Sequence, residues 1–193
     1  MRNDSIKKIC LAGIMAALCY VGYAIFPAIS VSGTKVHLGN AFVVLGALML
    51  GGLYGGLAGA VGLSLADILG GFSASAPRTF ITKLVIGLIV GLVAHRLGHL
   101  NNGTHTRKNV TKWSIFAALA GLGFNCIFEP ALKYVWYTLL TPNADKAQAA
   151  IASLMAVTTV TTLINTVINS IAAILLYTAL RPVMVKANIL ETC

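Results

Sequence analysis

Amides and charged groups stand out in this sequence because nearly everything around them is apolar. Asn125, Glu129 and Lys133 recur every fourth residue, which puts them on one face of a helix. Glu129 precedes Lys133 by four, the order that favours a helical ion pair. Pro130 removes a backbone donor between them, and Trp136 follows toward the next turn. A second stripe, Thr158, Thr162, Asn165 and Asn169, also defines one helix face. Polar groups converging within an apolar surround suit either a small-ligand pocket or hydrogen bonds between helices. Asp67 and Lys83 flank a loop centred near Ser75 and so reach similar depth. They read as an ion pair first and as substrate contacts second.

Catalytic chemistry finds little support. His95 and His99 lie four apart with no third ligand nearby, a poor metal site, and read as a solvated helix end. Cys10, Cys19, Cys126 and Cys193 form no C-x-x-C pair. No Ser-His-Asp, Cys-His or H-E-x-x-H arrangement is visible, and no G-x-x-x-x-G-K-[ST] loop for nucleotide phosphates. No enzyme activity, metal or cofactor is expected.

The elements that carry these residues are membrane helices. Of 193 residues, 58% are hydrophobic and 10% charged, whereas soluble domains carry about 25% charged residues. Apolar segments fall at 9–26, 38–50, 53–69, 79–97, 113–140 and 150–180. This pattern predicts an all-α polytopic membrane bundle of about six transmembrane helices in a single domain over 1–193. The segment 38–50 is short for a span. The first segment ends at Pro27 and is longer than a signal-peptide core, so it reads as a span rather than a cleaved leader ending near Ala28. Thr141-Pro142-Asn143-Ala144-Asp145 reads as the turn before the last helix.

The formal net charge is +9, and nine of the fourteen Lys and Arg fall in three clusters: Arg2, Lys7, Lys8; Arg96, Arg107, Lys108, Lys112; and Arg181, Lys186. With an even number of spans all three share one side, which the positive-inside rule makes cytoplasmic, together with both termini. Charge clustered at span ends serves orientation, and nucleic-acid binding is not expected. Small residues at four-residue spacing, Ala12/Ala16, Gly13/Ala17, Gly51/Gly55/Gly59, Gly52/Gly56/Ala60 and Gly87/Gly91, let helices approach closely.

Four runs then resemble a known family. They are His37-Leu38-Gly39-Asn40, Leu50-Gly51-Gly52-Leu53-Tyr54-Gly55-Gly56-Leu57-Ala58-Gly59, Leu65-Ala66-Asp67-Ile68-Leu69-Gly70-Gly71 and Ala76-Pro77-Arg78-Thr79-Phe80-Ile81-Thr82-Lys83-Leu84. Together they look like the substrate-binding S components of energy-coupling factor (ECF) transporters, in the riboflavin-type branch. Asn40 stands where many members carry Asp. The resemblance covers the first half well and the second half mainly in helix pattern. It implies a six-helix membrane binder that captures a water-soluble vitamin outside the cell. It also implies work with a transmembrane T subunit and two ABC-type ATPases. Ala12 and Ala16 match the Ala-x-x-x-Ala spacing that faces the T subunit in such proteins. Capture is implied at the loop Ser30–His37 and helices four to six.

The residues then expected to bind substrate are Lys35, His37, Asn40, Lys83, Asn125, Glu129, Trp136, Thr158, Thr162 and Asn165. A small heterocycle of the pyridoxine or hydroxymethylpyrimidine type suits this mixed set best, with pantothenate, riboflavin and a cobalamin-type ligand open. An autonomous carrier driven by an ion gradient, and a ligand-free membrane scaffold, are the competing readings.

Overall fold

The computed structural model describes residues 2–24, 29–31, 34–100, 105–140 and 144–187. Pro27, Ala28, Ser32, Gly33, the Thr141–Asn143 part of the expected turn, and Cys193 lie outside the described residues.

Helix α1 (Arg2–Ala24) leads to a hairpin of β1 (Ile29–Val31) and β2 (Thr34–Val36), paired antiparallel with Ile29 opposite Val36. Helices α2 (Gly39–Leu50), α3 (Gly52–Leu69), α4 (Ala76–Gly91), α5 (Arg107–Leu140) and α6 (Ala144–Lys186) follow. A 3-10 turn at Ser73–Ser75 enters α4, and a π-helical stretch at Leu92–Leu97 leaves it. Pro77 sits in the first turn of α4, where its missing N–H is not needed.

Five helices are long and apolar enough to cross a bilayer, and α2 is the short exception. Its 12 residues rise about 18 Å. Yet α2 joins the same two levels as its neighbours. The Leu38 N–H donates to the Gly22 carbonyl near the end of α1, and His95 near the end of α4 bonds the Ala47 carbonyl. This last contact corrects the reading of His95 as a solvated helix end: its ring is half-buried and ties α4 to α2.

The helix ends depart from the hydropathy boundaries. Helix α5 begins at Arg107, so Arg107, Lys108 and Lys112 stand on its first turns rather than in a loop. Helix α6 extends beyond 150–180 at both ends and covers 43 residues. Hydropathy marks the hydrocarbon layer, whereas a helix continues into water wherever its backbone bonds stay closed.

Glycine contacts bring the helices together. Gly51, with φ of +87°, makes the one-residue turn between α2 and α3 that a Cβ would strain. Gly52 and Gly56 of α3 face Gly91 and Gly87 of α4, backbone against backbone. Gly62 lies on the Ala16 carbonyl of α1. Such close approach gains dispersion contact, which must bind helices where lipid removes the hydrophobic drive.

Helix α6 shows how the bundle is sided. Thr158, Thr162, Asn165, Thr166, Asn169, Ala173 and Tyr177 are buried, while Val160, Leu163, Val167, Ile171 and Leu175 are exposed. Polar groups face inward and aliphatic groups outward, the arrangement that suits a hydrocarbon solvent. The polar basic ends also gather: Arg181 donates to the Leu100 carbonyl, and Lys8 lies over the Tyr54 ring, 5.9 Å from its centroid.

Candidate binding site

A cavity of about 70 Å³ opens at the end of the bundle away from those basic groups. Every helix lends it a side chain. Tyr23 comes from the last turn of α1, Lys35 and His37 from β2 and the turn after it, and Asn40 from the first turn of α2. Leu63 and Asp67 come from α3, Phe72 and Ser75 from the next turn, and Arg78, Thr79 and Lys83 from α4. Glu129 and Lys133 come from α5 and Asn165 from α6.

Six of the ten expected residues therefore meet at one cavity: Lys35, His37, Asn40, Lys83, Glu129 and Asn165. Asn125 stands one layer back and donates to Glu129 Oε2 at 2.9 Å. Thr158 acts through Lys133, whose Nζ donates to its hydroxyl at 2.9 Å. Thr162 and Trp136 do not line the cavity. The Thr162 hydroxyl is spent on the Thr158 carbonyl at 2.7 Å, the usual way a buried threonine satisfies itself within its own helix. Trp136 is half-buried farther along α5.

The expected Asp67–Lys83 pair is replaced by two separate arrangements. Asp67 accepts from the Tyr23 hydroxyl at 3.2 Å and from the Thr79 hydroxyl. Lys83 instead faces Glu129, Nζ to Oε2 at 3.8 Å. Equal distance along the chain from a turn gave similar depth, but the helix faces turned Lys83 toward α5.

Asn165 uses both ends of its amide on backbone. Its Oδ1 accepts the His37 N–H at 3.0 Å, and its Nδ2 donates to the Lys35 carbonyl at 2.9 Å. One turn along, Asn169 accepts the Ala41 N–H at 2.8 Å and donates to the His37 carbonyl at 3.0 Å. Two amides on one face of α6 thus clamp residues 35–41 to that helix.

Rings and cations form one wall. Lys35 Nζ lies 4.8 Å from the Tyr23 ring centroid and 4.7 Å from that of Phe72, within cation–π range. Tyr23 meets the His37 ring edge-on at 4.9 Å. His37 Nδ1 accepts the Gly39 N–H, which assigns the ring proton to Nε2. Burial, and then the charge of Lys83, push this imidazole down to about 3, so it is neutral at physiological pH.

Tyr23, Phe72, Arg78, Thr79 and Lys133 were not singled out as ligand contacts in the sequence. Tyr23 is embedded in an apolar run, and Arg78 reads there as a loop charge. The signal that could have found Arg78 is its place in the Ala-Pro-Arg-Thr run that opens a span.

The fold and cavity define a polytopic α-helical membrane protein with a polar small-molecule site sunk into one end. Residues 3–182 match the family described as "ECF-type riboflavin transporter, S component", and the chain belongs to that family. It is thus a substrate-binding component of an ECF vitamin transporter and not an enzyme. No curated protein and no solved structure gave a match to set beside it.

Proposed function

We propose that this chain captures a water-soluble vitamin with a planar heterocycle and hands it to partner subunits for ATP-driven uptake. The observation that carries the reading is the cavity, where rings, cations and amides from six helices converge. A planar ring can stack on an aromatic face while the polar groups read its edge. Pyridoxine and hydroxymethylpyrimidine fit the small space best, and the family description adds riboflavin as the larger candidate. Ligand pockets run to about 300–1,000 Å³, so any of these needs more room than the cavity offers as it stands.

The partners would be a transmembrane T subunit and two ABC-type ATPases, since the sequence holds no phosphate loop. The small-residue side of α1 supports docking there. Ala12 and Ala16 are half-buried, with Gly13 and Ala17 facing outward beside them. The basic end would lie in the cytoplasm and the cavity outside.

Native mass spectrometry of the detergent-solubilised chain tests the substrate. A bound vitamin is expected, and equilibrium titration should rank pyridoxine, hydroxymethylpyrimidine and riboflavin. Folded protein that binds none of them, nor carries any vitamin through purification, would remove the proposal. Robust ion-driven accumulation by vesicles holding this chain alone would favour the autonomous carrier.

A further inference from the structure

The charges around the cavity do not cancel. Among the described residues that line it, Lys35, Arg78 and Lys83 face two carboxylates, Asp67 and Glu129. Both carboxylates already have donors from the protein: Tyr23 and Thr79 for Asp67, Asn125 and Lys83 for Glu129. His37 adds no negative charge and is itself neutral. One positive charge is left over among these groups.

Arg78 marks where the surplus is felt most. It is 9% exposed, and its Nη1 is buried without a hydrogen-bond partner. Glu129, whose charge also reaches Arg78, already pairs with Lys83, and a buried guanidinium nitrogen left without a hydrogen-bond partner is costly. Its planar fork matches a carboxylate or a phosphate through two parallel hydrogen bonds. Arg78 also stands in the first turn of α4, whose N-cap Ser75 makes no side-chain capping bond. The helix dipole at that end favours negative charge as well. Across the cavity, Asn40 Oδ1 is buried and unpartnered, an acceptor waiting for a ligand N–H or O–H.

We infer that the ligand is an anion, with a carboxylate or phosphate seated on Arg78 and a hydrogen-bond donor directed at Asn40. This deepens the vitamin-binding proposal above and rests on it. Lys35 and Lys133 would complete the positive surround, while the aromatic faces of Tyr23 and Phe72 would hold the uncharged part.

Matched probes separate charge from scaffold. Pyridoxine is compared with 4-pyridoxate and with pyridoxine 5′-phosphate, and riboflavin with flavin mononucleotide, by equilibrium binding in detergent at two salt concentrations. The wild type should bind an anionic member at least about tenfold tighter than its neutral parent, a difference of about 1.4 kcal/mol. The carboxylate and phosphate arms tell which anion fits. Arg78→Met should erase the preference and Arg78→Lys should keep part of it, on protein whose thermal unfolding shows it folded. The wild-type preference decides the proposal even where a variant fails to fold. Neutral members binding as tightly as anionic ones would overturn the anion and leave the vitamin reading standing. Folded wild type that binds no member of either set would overturn both.

Discussion

At the scale of single residues, the site divides into side chains that face the ligand space and side chains that hold those in place. Asn165 belongs to both groups, because it lines the cavity while clamping the backbone of Lys35 and His37. Replacing it with Leu leaves a part-buried N–H and a part-buried carbonyl without this partner. Each such loss costs about 1–3 kcal/mol, so Asn165→Leu should weaken vitamin binding about 5- to 150-fold. Glu129→Gln should also weaken binding of a neutral vitamin, because it removes an acceptor and the counter-charge of Lys83. Thr162→Val should stay within about twofold, since it removes only a bond internal to α6. Isothermal titration on the three folded variants checks the ranking, and equal losses at Thr162 and Asn165 would contradict it. His37 stays neutral, so it should add no inflection to the binding curve between pH 5 and 8.

At the scale of elements, glycine spacing sets how closely α3 and α4 approach and hence where Asp67, Arg78 and Lys83 stand. A side chain at Gly87 would run into the Gly56 backbone, whereas one at Gly13 meets nothing within 4 Å. Gly87→Leu is therefore expected to cost about 1–3 kcal/mol or more, through overpacking. Gly13→Leu should leave stability within about 0.5 kcal/mol. Unfolding midpoints in detergent measure both, and a stable Gly87→Leu would mean that α3 and α4 are packed differently. The sequence displayed these glycines as four-residue repeats, but the pattern did not say which repeat faced which. Gly52/Gly56 and Gly87/Gly91 could have met any other small-residue face, and only their burial against each other decided the pair.

At the scale of the molecule, the cavity lies at the end opposite Lys8 and Arg181, and α1 stays largely uncovered. Only 17% of the Ser5–Ala24 window is buried, against 50% for Gly52–Leu69. That leaves α1 the freest of these two helices for a partner in the membrane. Ala12→Trp with Ala16→Trp should block assembly with a T subunit and abolish transport. Because the Ala16 carbonyl also touches Gly62 of α3, the outward pair Gly13→Trp with Ala17→Trp provides a control that spares the bundle. Loss of co-purification with the T subunit in either pair, with vitamin binding kept, is the expected result; full assembly of both pairs would place the docking surface elsewhere. Single cysteines at Lys7 and Lys186 should react with an impermeant thiol reagent only from the cytoplasmic side, as the positive-inside rule requires.

The sequence by itself determined the solvent, the secondary structure and the family. Long apolar runs leave a chain no way to satisfy its backbone in lipid except helices, so the fold class follows from composition and period alone. The run from Ala76 to Lys83 and the glycine-rich turn at Gly51 carried the resemblance that the match over residues 3–182 bears out. Six residues that line the cavity were also legible, because a polar group in an apolar run has few other reasons to be there. Tertiary structure alone decided who partners whom. A periodic stripe gives the face of one helix but not its rotation against the next, and that rotation set Lys83 against Glu129 rather than Asp67. It also decided that the threonines of α6 turn back on their own carbonyls while its asparagines reach out to residues 35–41. Hydroxyls sit one bond from the backbone and close locally, whereas amides extend far enough to bridge two elements, and which bridge forms depends on what the fold brings within about 3 Å.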